Sequence, residues 1–505
     1  MDRNGYSALV LLLAALSLTG CGGGGEDTNP SGPGQQQPAT TYISLQSDTG
    51  DYIGAGKSYE YTRSNAKITV TATGGLFKVS ITGDEWWTGF FKVPDSLSTL
   101  QPGTYANVAR YPFHNPAVGG LEWSGEGRGC NTLTGSFTIN AATYENGVLT
   151  SIDLSFEQYC ESGTTALRGE IRWDVNDTTQ PPGPVVPPPA GLWEPPPGAV
   201  PATGSYVYLE SQPGDYIGAG GTYLYTKATA TLTVNLIGNR LTVSVNGMEN
   251  WSGDFQAMDT LIRLEPGYYG NLRRYPFHNP TAGGLDWFGE GRGCNTLTGW
   301  FVVDAITYNN GMLATVDLRF EQRCGTAPAA LRGKIRWDVN DTTQPPGPVV
   351  PPPAGLWEPP PGVVPASGNY VYLESEAGDY IGAGKTYLYT GATATLSVTA
   401  IGNRLAISVN GTENWSGNFQ AMNVLTQLEP GYYGNLQRYP FHNPTAGGLD
   451  WFGQGRGCNT LTGWFVVDAV TYTNGSLTAV DLRFEQHCEG GAPALNGKIH
   501  WTSAG

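Results

Sequence analysis

The sequence predicts an all-β protein of three tandem antiparallel domains, each a β-sandwich or barrel-like sheet with one disulfide, joined by proline-rich linkers. Three observations predict this class. Apolar and polar residues alternate with a period of two, for example in residues 312–324, "MLATVDLRFEQRC", and no stretch shows a capped helical stripe. Cysteines recur at a fixed offset of 164 residues, from 130 to 294 to 458. Two stretches, 180–202 and 344–366, are dominated by proline.

Residues 1–20 are expected to form a signal peptide. Their apolar run, "ALVLLLAALSL" at 8–18, is shorter than the roughly 20 residues that a membrane span needs. The following "LTGC", ending at Cys21, resembles the lipobox of bacterial lipoproteins. The resemblance implies that Cys21 is lipidated; an ordinary signal peptide with a chance cysteine is the alternative. Because Gly22 and not Asp follows, the resemblance favours lipid anchoring at the outer membrane, facing the periplasm or the cell surface.

The segment after the signal peptide is expected to be a tether, and the charge of the chain excludes some partners. Residues 21–40 are rich in Gly, Pro and Gln and nearly lack apolar side chains, so they are expected to be a flexible tether. The chain of 505 residues has 43 acidic and 27 basic residues, a net charge of −16, and no basic cluster. Nucleic-acid binding and adhesion to anionic lipid both require concentrated Lys and Arg. We therefore expect no nucleic acid, and membrane contact through the lipid anchor only.

Repeated segments define the domains. "GDYIGAG" and "GRGCNTLTG" recur at the same offset as the cysteines. Proline density favours polyproline II, so each linker is expected to be a semi-rigid spacer of roughly 60–70 Å at full extension. Alternatively, Trp193 and Trp357 fold the linkers back onto a neighbouring domain. The predicted domains are 41–174, 204–338 and 368–505, separated by linkers at 175–203 and 339–367.

The repeat also carries a resemblance. Through "GDYIGAG", "RYPF", "GRGCNTLTG" and the "FEQ" before its second cysteine, it resembles a module of secreted bacterial proteins to which no activity is assigned. The resemblance covers about 135 residues in each copy. It implies no catalytic residues.

The cysteines are expected to pair within each domain. Two β-rich runs lie between Cys294 and Cys324, joined by "NNG" at 309–311, a hairpin turn chemistry. A hairpin centred there brings the two cysteines opposite each other at its open end. Closing such a loop would stabilise a domain by about 3–4 kcal/mol. Zinc binding is the alternative, but no two cysteines lie close in sequence. The expected disulfides are Cys130–Cys160, Cys294–Cys324 and Cys458–Cys488.

The segment "RYPFHNP" recurs at 110–116, 274–280 and 438–444, each time shortly before an acidic residue and a tryptophan. Its two prolines indicate an irregular, kinked connection between strands. We hypothesise that this rigid loop presents aromatic faces beside hydrogen-bonding groups, as a sugar ring requires. The alternative is that the aromatic residues fill the core. The candidate ligand-binding residues are Arg110, Tyr111, His114, Trp123, Arg274, Tyr275, His278, Trp287, Arg438, Tyr439, His442 and Trp451.

No catalytic residue is predicted. Glu126 and Glu290 become Gln454 in the third copy, so that carboxylate is not required three times. Domains without long insertions offer little cleft for paired carboxylates, and the sequence lacks the common hydrolase motifs. His278 with Asp286 is a weak metal candidate, and "GDYIGAG" indicates a turn because no helix follows it. We expect no metal and no cofactor.

The sequence therefore predicts a non-catalytic envelope protein that binds a repeating polymer, in the leading hypothesis a glycan, through three similar sites that gain avidity. One alternative is a structural stalk or adhesin with a protein partner. Another is a metal-assisted hydrolase. Ligand-binding Trp and Tyr should be exposed at one end of the domain, whereas a stalk would bury them.

Overall fold

Each repeat folds into one ten-stranded, barrel-like sheet, which confirms the predicted all-β class. The computed structural model describes residues 40–503. The expected signal peptide, the tether up to residue 39 and the lipidation site Cys21 lie outside the described residues. None of the described residues belongs to a helix long and apolar enough to cross a membrane.

The thirty strands fall into three equivalent sets of ten. Domain 1 contains β1 (Tyr42–Ser47), β2 (Ser58–Thr62), β3 (Lys67–Thr73), β4 (Leu76–Thr82), β5 (Trp86–Lys92), β6 (Gly103–Arg110), β7 (Gly120–Gly125), β8 (Leu133–Glu145), β9 (Val148–Cys160) and β10 (Ala166–Asp174). Domain 2 contains β11 (Tyr206–Ser211), β12 (Thr222–Thr226), β13 (Thr231–Ile237), β14 (Arg240–Asn246), β15 (Asn250–Gln256), β16 (Gly267–Arg274), β17 (Gly284–Gly289), β18 (Leu297–Asn309), β19 (Met312–Cys324) and β20 (Leu331–Asp338). Domain 3 contains β21 (Tyr370–Ser375), β22 (Thr386–Thr390), β23 (Thr395–Ile401), β24 (Arg404–Asn410), β25 (Asn414–Gln420), β26 (Gly431–Arg438), β27 (Gly448–Gly453), β28 (Leu461–Thr473), β29 (Ser476–Cys488) and β30 (Leu495–Thr502).

The strand order is the same in all three sheets. In domain 2 it is β12-β11-β20-β19-β18-β16-β17-β15-β14-β13. All neighbours are antiparallel except β16 and β17, which pair in parallel at Arg273 with Gly284 and at Arg274 with Leu285. The sheet is therefore antiparallel, as predicted, apart from this short parallel pair. The chain crosses over from β16 to β17 through the RYPFHNP segment, and such a crossover leaves both strands running the same way.

Each domain has its own hydrophobic core inside the curled sheet. Alternation places Leu241, Val243 and Val245 of β14 inside. Large aromatic rings fill the centre, where Phe255 lies 5.3 Å from the ring of Phe320. Burying each such side chain stabilises a domain by about 1.5–3 kcal/mol.

The disulfides form as predicted, with one difference in register. Cys294 and Cys324 are bonded with their Cα atoms 5.2 Å apart. However, Cys324 lies opposite Leu297 in the β18–β19 hairpin, and Cys294 lies three residues before β18 begins. Asn310 and Gly311 form the tight turn, both with positive φ. The bond therefore ties the segment leading into β18 to the end of β19. Equivalent bonds join Cys130 to Cys160 and Cys458 to Cys488.

Candidate functional site

The RYPFHNP segment is the crossover loop between the two parallel strands of each sheet. In domain 2 the N–H of Tyr275 donates to the carbonyl of Leu285 at 3.0 Å, which holds the loop against β17. The N–H groups of Ala282 and Gly283 donate to the carbonyl of Asn279 at 3.1 and 3.0 Å and turn the chain back. The peptide bond between Tyr275 and Pro276 is cis, as are its two equivalents. The predicted kinked connection is confirmed.

The tryptophans of the candidate site are part of the core. Trp123, Trp287 and Trp451 each have 0% exposed surface. They stack on a core phenylalanine, as Trp287 does on Phe320 with ring centroids 5.2 Å apart. A ligand has no access to these rings, so the three tryptophans leave the candidate site. Apolar and polar residues alternate along β17 and its equivalents. This pattern, which predicts core residues in other strands, also predicts that the three tryptophans lie in the core.

The arginines of the loop lie between an exposed ring and an acidic side chain. The guanidinium of Arg274 lies 5.7 Å from the centroid of the Phe277 ring, and its Nε donates to Asp286 at 3.2 Å. The corresponding ring distances are 5.5 Å in domain 1 and 5.6 Å in domain 3. The phenylalanines are 77%, 57% and 72% exposed in domains 1 to 3. We call these three-residue groups, completed by the loop tyrosine, the Arg–Tyr–Phe surfaces: Arg110, Tyr111 and Phe113; Arg274, Tyr275 and Phe277; Arg438, Tyr439 and Phe441.

The loop tyrosines are half-buried, and a neighbouring side chain fixes the orientation of each. Arg240 donates to the hydroxyl of Tyr275, and Arg404 donates to that of Tyr439 at 2.6 Å. In domain 1 the ring of Tyr111 instead stacks on Phe90 at 5.3 Å. Each domain thus orients the tyrosine, but domains 2 and 3 do so with a cation and domain 1 with an aromatic ring.

Domain 2 has a groove beside this surface. Its volume is about 460 Å³, and its lining includes Asp254, Asp286, Arg274, Phe288 and Arg292. Asp254 lies opposite Asp286 on neighbouring strands. Burial raises the pKa of both carboxyl groups, against the effect of Arg240 on Asp254 and of Arg274 on Asp286. One oxygen of Asp286, Oδ1, is buried without a hydrogen-bond partner among the described residues.

The carboxylate pair belongs to domain 2 alone among the three copies. The position of Asp254 is Phe90 in domain 1 and Asn418 in domain 3. The second acid is kept, as Glu122 and Asp450. Burial raises the pKa of Asp450 to about 6, with Arg438 opposing the shift. The groove can accept hydroxyl donors at its carboxylates and offer donors from its arginines, beside the exposed ring of Phe288.

The loop histidines lie behind the exposed surface. His278 is 9% exposed and stacks on Tyr275 with centroids 5.5 Å apart. Burial lowers its pKa. The backbone of Gly284 passes directly beneath the ring, since a Cβ placed on that glycine would be 2.7 Å from Cγ of His278. His278 therefore packs within the loop and is not presented to a ligand. His114 and His442 stack on Tyr111 and Tyr439 in the same way.

The next loop residue, an asparagine, contacts the preceding domain. Nδ2 of Asn279 donates to the carbonyl of Asn65 at 2.9 Å, and Nδ2 of Asn443 donates to that of Thr229 at 2.8 Å. Both asparagines are buried, whereas the equivalent Asn115 of domain 1 is exposed. The asparagine sits at a domain interface, which sequence reasoning missed.

The same interface recurs twice with different side-chain pairs. Lys67 of domain 1 forms a salt bridge with Asp259 of domain 2 at 3.1 Å. At the equivalent positions, Nδ2 of Asn423 in domain 3 donates to Oγ1 of Thr231 in domain 2 at 3.2 Å. A charged pair at one interface is thus replaced by a neutral pair at the other.

The linkers fold back onto the domains that follow them, so they are not free-standing spacers. Val185 pairs with Tyr268 as an isolated β-bridge. The ring of Trp193 lies parallel to that of Tyr208, with centroids 6.4 Å apart, and Arg319 donates to the carbonyl of Trp193 at 3.0 Å. The second linker repeats each contact through Val349, Trp357, Tyr372, Tyr432 and Arg483.

Domain 1 lacks the residues that hold a linker. Where domain 2 has Tyr208, Tyr268 and Arg319, domain 1 has Ser44, Thr104 and Ser155. The three linker-contacting residues of domain 2 lie in one row across neighbouring strands. The row runs through the paired residues Tyr208, Lys334, Arg319, Val302 and Tyr268. The first copy therefore lacks all three side chains that hold a linker in the second copy.

The remaining sequence candidates are structural. Asp51 accepts from the hydroxyl of Ser47 and from the N–H of Gly54, both at 2.7 Å, which makes "GDYIGAG" a capped turn as predicted. Glu321, which alternation places on the polar face, is 6% exposed and pairs with Arg332 at 2.8 Å. Within residues 40–503, no three His, Cys, Asp or Glu side chains are grouped to hold a metal ion.

Comparison with known proteins adds no family. No protein-family model matches the chain, and no curated protein matches it.

Proposed function

We propose that this chain is a lipid-anchored, non-catalytic protein of the cell envelope that binds a repeating polymer, specifically a glycan, through the Arg–Tyr–Phe surfaces of its three domains. The observation that carries the proposal is the threefold recurrence of a highly exposed phenylalanine held against an arginine, at 5.5 to 5.7 Å. Single exposed rings are common on protein surfaces, but here each ring is fixed beside an arginine, and an apolar face beside a placed charged group is what a ligand-binding surface combines.

The chemistry of the surface suits a sugar. A pyranose offers an apolar C–H face to a flat ring and hydroxyl groups to charged neighbours, and binding sites typically combine apolar walls with a few placed polar groups. In domain 2 the groove adds Asp254 and Arg292 beside the ring of Phe288. Since the domains contact one another in a fixed order, three surfaces at set spacing would gain avidity on a repeating ligand.

Retention of the full chain on a panel of insoluble polysaccharides tests the proposal. The triple variant Phe113→Ser, Phe277→Ser and Phe441→Ser should lose at least about tenfold in retention, and each single variant much less, because avidity compensates. The control is Val148→Ser with Met312→Ser, which removes residues 66% and 71% exposed at hairpin tips. Unchanged retention of the triple variant, or no retention of the wild type on any polymer, would contradict glycan binding.

A structural stalk is a second candidate, favoured by a different observation. The three tryptophans are buried, and Asn279 and Asn443 serve domain docking instead of ligand contact. A stalk predicts that the array stays rigid while the Phe triple variant has no effect on any binding assay.

The proposed anchor is tested separately. Changing Cys21 to Ser should abolish incorporation of labelled fatty acid and release the protein from the membrane fraction. Labelling that persists in the variant would remove the lipid anchor from the proposal.

A further inference from the structure

The two domain interfaces are copies of one head-to-tail contact. We call front face the surface of a domain that contacts the preceding domain. In domain 2 it contains the RYPFHNP asparagine, Asn279, and the residue Asp259 that precedes β16. The back face is formed by the turn into the third strand, Asn65 and Lys67 in domain 1. Front and back faces are different surfaces. A contact of this kind leaves one face of each type free at the ends of an array.

Within residues 40–503, no domain covers the front face of domain 1 or the back face of domain 3. Asn115 is exposed, whereas Asn279 and Asn443 are 6% and 5% exposed. At the back, Ala66 and Ala230 are each 1% exposed and line the clefts between domains, whereas the equivalent Ala394 is only half-buried. The two end faces are those that the interior contacts bury.

We propose that these two faces bind each other in trans, so that domain 3 of one chain docks onto domain 1 of a second copy. Their chemistry is compatible. Asn115 keeps the donor, and the acceptor is a backbone carbonyl, that of Thr393, which is independent of side-chain identity. Thr395 would face Asp95, whose carboxylate pairs with Lys92 at 2.9 Å, and the threonine hydroxyl would donate to that carboxylate. The joint replacement at the two interior contacts shows that this geometry tolerates both charged and neutral pairs.

The contact between chains is expected to be weak, because the interior contacts are assisted by linkers that raise the effective concentration. Anchoring chains in one membrane would supply that concentration instead. The assembly would be an open chain or a ring of copies, depending on the rotation at each contact.

Disulfide trapping of the full chain anchored in lipid vesicles, which keep the local concentration of the chains high, tests the proposal. Asp95→Cys and Thr395→Cys replace the residues equivalent to the Asn423 and Thr231 pair, whose short side chains approach to 3.2 Å between Nδ2 and Oγ1. A chain carrying both changes should give dimers and larger species on a non-reducing gel, and a mixture of the two single variants should give at least about tenfold more dimer than either alone.

Two controls make the result decisive. Thr231→Cys with Asn423→Cys should form a bond within one chain, which verifies the geometry and the oxidation conditions, because the short side chains of this pair already approach to 3.2 Å. Adding Ala394→Arg to the Asp95→Cys and Thr395→Cys chain should abolish the larger species by blocking the back face. If the intrachain pair forms while the interchain species do not exceed those of the single variants, the proposal is overturned.

Discussion

Nδ2 of Asn279 in domain 2 donates to the backbone carbonyl of Asn65 in domain 1 at 2.9 Å. The same bond joins Asn443 to Thr229 one domain further along. Because the acceptor is backbone, its side chain is free to vary while the bond is kept. The loop expected to bind a ligand through its arginine, tyrosine and histidine thus uses its asparagine to hold two domains together.

Replacing Asn279 and Asn443 with Ala should weaken the contacts between neighbouring domains. Each change leaves a carbonyl without its partner in a buried setting, at a cost of about 1–3 kcal/mol per interface. We expect a larger radius of gyration by small-angle X-ray scattering.

Asn115→Ala is the matched control, since Asn115 has the same loop setting but contacts no neighbouring domain within residues 40–503. Equal expansion in this variant would show that the asparagine acts within the loop and not at the interface.

The linker contact predicts a protease-sensitive variant. Arg319 is 8% exposed, donates to the carbonyl of Trp193 and pairs with Glu194 at 3.2 Å. Arg319→Ala should weaken linker docking by about 1–2 kcal/mol, so cleavage within residues 180–202 should be roughly tenfold faster. Arg483→Ala should affect only the second linker. Unchanged cleavage of both linkers would mean that the aromatic stack alone holds them.

Much of this fold could be predicted from sequence because it rests on local patterns. Period-two alternation identified β19, and the offset of the cysteines identified the copies and their disulfides. The site was harder. Trp287 looked like a ligand-binding ring because it stands next to an acid, yet alternation sends it inward. The roles of Asn279 and Trp193 depend on contacts between domains, and a repeat that is nearly identical in each copy carries little signal for such contacts.

Gly284 and His278 should show coupled effects on stability. A Cβ at Gly284 would be 2.7 Å from Cγ of His278, well inside contact distance. Gly284→Ala should therefore destabilise domain 2 by about 1–3 kcal/mol through overpacking. In a His278→Ala background the same change should cost less, because the ring is gone and only the Cβ of residue 278 remains, 3.0 Å away; a double-mutant cycle by denaturant unfolding measures this. Additive effects would indicate that the glycine is needed by the neighbouring backbone and not by the ring.

Asp450 predicts a stability difference that depends on pH. Its pKa is raised to about 6 by burial, with Arg438 opposing, and its side chain is 8% exposed. A carboxyl group whose pKa is higher in the folded state than in the unfolded state stabilises the fold at low pH. The contribution is complete below the unfolded pKa of about 3.9 and is lost as the pH rises through the folded pKa of about 6. Asn does not titrate, so the stability of the Asp450→Asn variant lacks this pH dependence. Between pH 4 and pH 7 its free energy of unfolding should therefore rise relative to that of the wild type by up to about 3 kcal/mol. Hydrogen exchange of peptides from β27 at both pH values measures this difference, with peptides of domain 1 in the same sample as the reference. A difference that is the same at both pH values would show that Asp450 stays ionised in the folded protein, held by Arg438.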